Sequence, residues 1–94
     1  MNNYVVIGLL VKNHPGVMSH ITGLFARRSF NVEGILCGRV EENEKKSHIY
    51  LLVKNDDFLE QIVKQLNKLY DVDEVKVYED ADYQIFKNLN RFFE

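Results

Sequence analysis

One internal echo narrows the fold more than any other feature of the chain. Leu9-Leu10-Val11-Lys12-Asn13 returns as Leu51-Leu52-Val53-Lys54-Asn55, 42 positions later, and the same offset pairs Val17 with Leu59, Ile21 with Val63 and Leu24 with Leu66. A pentapeptide can recur by chance, but a register that persists through the next segment describes a duplicated unit. In each half a strand precedes a helix. Tyr4 to Val11 and His48 to Val53 are nearly unbroken apolar runs, as expected of strands covered on both faces or central in a sheet. Val17, Ile21, Leu24 and Phe25 then recur at helical spacing, as do Leu59, Ile62, Val63, Leu66 and Leu69. Val32 to Val40 and Val72 to Tyr78 supply two further strands, the first carrying Gly34 and Gly38 on the face of Leu36, where a close backbone approach or a bulge is expected. The short polar link Glu41 to Lys46 predicts an antiparallel hairpin. The order is β-α-β-β-α-β, an α+β, ferredoxin-like arrangement with a four-stranded antiparallel sheet and two helices on one face. The other face stays open unless something covers it.

Size and charge remove several classes of function. With 94 residues there is room for one domain, and a chain this small buries only ~60–65% of its extended surface, so oligomerisation would help it. Lys and Arg number 12 against 14 Asp and Glu, a net charge of −2 that argues against nucleic-acid binding. Cys37 is the one cysteine, so no internal disulfide can form; a reducing compartment and an inert, buried mid-strand thiol are expected. The N-terminus lacks the basic flank and cleavage site of a signal peptide, and no run approaches the ~18 apolar residues of a membrane span. The expectation is a soluble cytoplasmic domain with no membrane or metal role. The domain is assigned to residues 1–79, followed by a C-terminal amphipathic segment, 80–94. There Asp80-Ala81-Asp82 offers a cap, and Ile85, Phe86, Leu89, Phe92 and Phe93 follow at helical spacing. This stripe either folds back onto its own domain or docks on a partner.

The search for catalysis is negative: there is no Gly-rich phosphate loop, nucleophile elbow or Cys-x-x-Cys. His14, His20 and His48 lack metal-ligand spacing and read as surface or rim residues. Arg27-Arg28 suits the negative end of a helix dipole, and Lys45-Lys46 reads as a solvated hairpin tip. The loop Asn13-His14-Pro15-Gly16 is different. The second helix opens on Asp56 and Asp57, which bring negative charge to its positive end, whereas the first opens on Pro15, Gly16, Val17, Met18 and Ser19 with no acid. Its free N–H groups suit an external anion, and a carboxylate fits. An uncharged helix start capped by Asn13 is equally a common structural device. With Val17 and Met18 beside it, the loop is a candidate pocket for a small aliphatic carboxylate.

Three blocks add a resemblance that covers nearly the whole chain: Lys12-Asn13-His14-Pro15-Gly16-Val17-Met18, Gly23-Leu24-Phe25-Ala26-Arg27-Arg28 and Phe30-Asn31-Val32-Glu33-Gly34-Ile35. With Ser47-His48-Ile49-Tyr50-Leu51-Leu52 and the stretch from Gln61 to Val72, the chain resembles the ACT domain of the small regulatory subunit of acetolactate synthase, also called acetohydroxyacid synthase, in its short single-domain form. The resemblance implies a non-catalytic subunit in branched-chain amino acid biosynthesis, without catalytic residues or cofactors of its own. Such a subunit binds and activates a large catalytic subunit carrying thiamine diphosphate, Mg and FAD, and confers feedback inhibition by valine. It further implies a homodimer with valine between Asn13, His14, Pro15, Gly16, Val17 and Met18 of one chain and Asn31 and Val32 of the other. Ile85, Phe86, Leu89, Phe92 and Phe93 are then the candidate contact with the large subunit. His14-Pro15 departs from other members, which bears on selectivity among valine, leucine and isoleucine.

Other readings stand beside it. A stand-alone ACT-type amino-acid sensor needs the same loop but no enzyme partner. An acylphosphatase-like enzyme would need an arginine in that loop, which Asn13-His14-Pro15-Gly16 lacks. RNA binding through the open sheet face would need a basic aromatic signature around Tyr50 that is absent.

Overall fold

The computed structural model describes residues 3–79 together with Phe86. Six elements follow in the expected order: β1 (Tyr4–Lys12), α1 (Val17–Arg27), β2 (Gly34–Val40), β3 (Asn43–Lys54), α2 (Leu59–Asn67) and β4 (Val72–Tyr78). The sheet order is β2-β3-β1-β4, with all neighbours antiparallel. The two unbroken apolar runs are therefore the two central strands.

Alternation along these strands divides the apolar residues between two faces. Val5, Ile7, Leu9 and Val11 of β1 join Ile49, Leu51 and Val53 of β3 under the helices, where they meet Val17, Ile21, Leu24 and Phe25 of α1 and Ile62 and Leu66 of α2. Phe30 closes this core with its ring edge-on to Phe25, 5.8 Å between centroids. On the opposite face Val6 and Leu52 pack against Phe86, with Tyr4 and Leu36 at the margin. Gly34 makes this possible, because a Cβ there would stand 2.7 Å from Phe86 Cδ1. Gly38 has open space around it, so only one of the two glycines foreseen for a close approach serves that purpose.

Several local expectations need correction. The hairpin link is two residues, Glu41-Glu42, because β3 already begins at Asn43, and Val40 faces Asn43. This polar start of β3 projects beyond the core, so it carries no hydrophobic alternation. Lys46 lies within that strand and pairs with Asp73 rather than sitting solvated at a tip. Helix α2 opens at Leu59, with Asp56 Oδ1 accepting a hydrogen bond from Phe58 N at 2.7 Å in the turn before it. It also ends at Asn67, short of Leu69. Cys37 is exposed, since β2 is an edge strand that no helix covers at that point. Among the described residues no helix is long and apolar enough to cross a membrane.

Candidate effector site

The loop between β1 and α1 is anchored on two sides. Asn13 N donates to Lys45 O and Asn13 Nδ2 to Glu44 O, both at 2.8 Å, tying the loop to the start of β3. Asn13 therefore does not cap the helix. That position belongs to Gly16, which has φ +91° and no side-chain cap. This is left-handed backbone that an L side chain adopts only under strain, although a Cβ there would meet nothing within 4 Å. The conformation, not crowding, is what demands glycine. No acidic residue lies in the first turn of α1.

The second anchor was not visible in the sequence. Asp71, 5% exposed in the turn between α2 and β4, receives His14 Nε2 on Oδ1 and His20 Nδ1 on Oδ2, each at 2.6 Å. His14 Nδ1 contacts Pro15 O at 2.7 Å. The hydrogen bond to Asp71, and then the one to Pro15, raise the His14 pKa above its ordinary 6.5. The bonds from His14 and His20 hold the Asp71 carboxyl below its ordinary 3.8. Two of the three histidines expected at the surface thus converge on one buried acid. Asp71 left no sequence signal, since an acid in a short turn between apolar runs is where solvated acids also occur. The neighbouring charges form a chain. Lys12 Nζ donates to Tyr70 O at 2.9 Å, lies 4.0 Å over the Tyr70 ring and stands 3.6 Å from Asp73. The bond from Lys46 is the main cause holding the Asp73 carboxyl below its ordinary value.

Among the described residues no group of three or more His, Cys, Asp or Glu is arranged to hold a metal. None of their buried side-chain N or O atoms lacks a partner.

A family profile described as the AHAS small subunit-like ACT domain matches residues 7–74. The acetolactate synthase isozyme 1 small subunit of Escherichia coli K12 is 52% identical over 91 residues, spanning 96% of this chain and 92% of that protein. The chain belongs to the acetolactate synthase small-subunit family. A longer relative, the acetolactate synthase small subunit of Mycobacterium bovis, is 38% identical over 81% of this chain and 44% of its own length. Among solved structures, the acetolactate synthase small subunit from Thermotoga maritima is similar at a TM-score of 0.72 and 30% identity, covering 98% of this chain and 69% of that one. The ligand-free regulatory subunit of aspartate kinase from Thermus thermophilus, at 22% identity and a TM-score of 0.70 over 83% of this chain, shares the fold.

Within this ACT domain the candidate residues divide. Asn13, Pro15 and Gly16 are exposed, and His14 and Met18 are half-buried. Val17, expected in the apolar wall, is 6% exposed and belongs to the core. Asn31 is exposed with its amide donating to Glu33 Oε2, and the half-buried Val32 packs against the core. The two groups sit at opposite ends of the sheet. Gly34 aligns through Leu52 with Val6, whereas Lys12 aligns with Lys46, so about 20 Å of β1 separates the two levels. Phe86, expected on the partner-facing stripe, is 8% exposed against its own sheet; Ile85, Leu89, Phe92 and Phe93 lie outside the described residues.

Proposed function

We propose that this chain is the regulatory subunit of an acetolactate synthase, binding and activating a large catalytic subunit and carrying feedback inhibition by valine. The observation that carries this reading is the 52% identity to the Escherichia coli isozyme 1 small subunit over nearly the full length of both chains. Thiamine diphosphate, Mg and FAD belong, in this reading, to the large subunit, and the assembly works in the cytoplasm.

Valine binds between two copies of the chain. Its carboxylate meets the acid-free start of α1, its ammonium meets oxygen acceptors such as Asn31 or backbone carbonyls, and its side chain lies against Met18. Three features support a shared site. Gly16 leaves the helix start open, one chain holds the two residue groups at opposite ends of its sheet, and β2 is an edge strand. Antiparallel apposition of two β2 edges about a two-fold axis sets the start of one beside the end of the other, at the end where Asn13 is tied to Glu44 and Lys45. A ligand bridging two chains inhibits the catalytic partner only by its differential affinity for two states of the complex.

Calorimetric titration with L-valine, with glycine and L-glutamate as controls, tests the reading on the chain alone and on its complex with the large subunit. Selective valine binding is expected, weakened about tenfold or more in Asn13→Ala. Absence of valine binding in both settings, or an equal response to glutamate, would overturn the effector role.

A further inference from the structure

The proton count around His14 goes beyond the shared-site reading. Pro15 O can only accept a hydrogen bond, and an ionised Asp71 can only accept as well, yet each lies within 2.7 Å of a different nitrogen of the same ring. Satisfying both requires a proton on each nitrogen, so His14 is an imidazolium bridging the carbonyl and the carboxylate. His20 Nδ1 lies 2.6 Å from the other carboxylate oxygen, Asp71 Oδ2. The acid itself is almost fully withdrawn from solvent.

We propose that Asp71 is a positioning residue for the effector loop, holding the Pro15 turn and Gly16 in place through a doubly protonated His14, so that loss of one proton from His14 releases one end of the bridge. Its bearing on valine affinity rests on the proposed function; the bridge itself does not. Asp71 suits the task because it is fixed independently of the histidines. Its backbone O accepts from Lys12 N at 2.9 Å, which locks the α2–β4 turn to the end of β1. The charged groups facing the bridge are Lys12 from β1, His20 from α1, Lys46 from β3, and Asp73 with the Tyr70 carbonyl from the α2–β4 region. Lys12 opposes the cation on His14, while Asp73 absorbs Lys12 and Lys46.

The direction with pH follows. A histidine whose folded pKa lies above 6.5 stabilises the folded loop fully below pH 6.5, and that contribution is lost as pH rises through the folded value. An aspartate held below 3.8 contributes above pH 3.8 and loses its contribution as pH falls through the folded value. The bridge is complete between those limits and opens on the alkaline side.

Nuclear magnetic resonance of the 94-residue chain tests this without any effector. The His14 ring nitrogens and the Gly16 and Val17 amides should titrate together with a midpoint above 6.5, while the same amides in Asp71→Asn and His14→Gln should not follow pH. Folding of both variants is read from the dispersion of core methyl signals. Valine affinity of the native chain should then weaken about 2–10-fold from pH 6 to pH 8.5, the worth of one hydrogen bond, and stay level in both variants. Loop amides that ignore the His14 titration, or an ordinary His14 midpoint unmoved by Asp71→Asn, would overturn the bridge. Coupled amides with no valine binding at any pH would overturn the effector site and leave the bridge standing.

Discussion

The two halves of the repeat end their strands with the same Leu-Leu-Val-Lys-Asn and then diverge. After Asn55 the turn closes on itself: Asp56 accepts from Phe58 N, Glu60 sits in the first turn of α2, and Phe58 has an ordinary φ of −90°. After Asn13 the turn depends on distant parts of the fold. His14 stands where the other half has Asp56, Pro15 where it has Asp57, and Gly16, at φ +91°, where it has Phe58. The second turn supplies its own negative charge locally; the first borrows Asp71 from the far end of the sequence and leaves its helix start free of acid. The difference shows how one duplicated unit can yield one turn closed by its own residues and another braced by a distant part of the fold. Neither helix start carries a side-chain cap, so the contrast lies in where the negative charge and the bracing partner come from rather than in how many helix N–H groups are satisfied.

Substitutions at equivalent positions break or sharpen this contrast. The largest difference is expected in the helices. Ile21 is fully buried while its counterpart Val63 is only partly so. Ile21→Ala should cost about 2–5 kcal/mol in urea unfolding and Val63→Ala distinctly less; equal losses would mean that the two helices share the core evenly. Next come the turns. Gly16→Ala should cost about 1–2 kcal/mol for placing a side chain at positive φ, whereas Phe58→Ala, at an exposed site, should stay within about 0.5 kcal/mol. The smallest concerns the local brace. Asp56→Ala should remove about 1 kcal/mol and leave the amide signals of the first turn unchanged, and spreading of its effect to Gly16 would show that the two turns are not independent.

Much of the frame was legible because it rests on local pattern. The unbroken apolar runs identified the central strands, the 3.6-residue spacing located both helices, and the missing acid singled out the start of α1. Errors clustered where a residue's partner is far along the chain. Asn13 has the residue type of a helix cap, yet its amide reaches Glu44; Val17 looked like pocket lining, yet it fills the core. Cys37 looked buried by its strand but lies on an exposed edge, a matter of strand order rather than strand identity. Phe86 fitted either reading of the C-terminal stripe, and only the bare backbone at Gly34 explains why its ring sits against the chain's own sheet.

By itself the sequence determined the order of elements, the duplication, the core faces and the unusual character of the first turn, since periodicity and residue type act over a few positions. Only the tertiary structure decided that His14 and His20 share a buried Asp71, that Phe86 is spent on the second face of the sheet, and that the two halves of the proposed valine site stand at opposite ends of one chain. Those facts depend on which strands become neighbours and in which register. That choice is made by burial over the whole domain rather than by any local stretch of it.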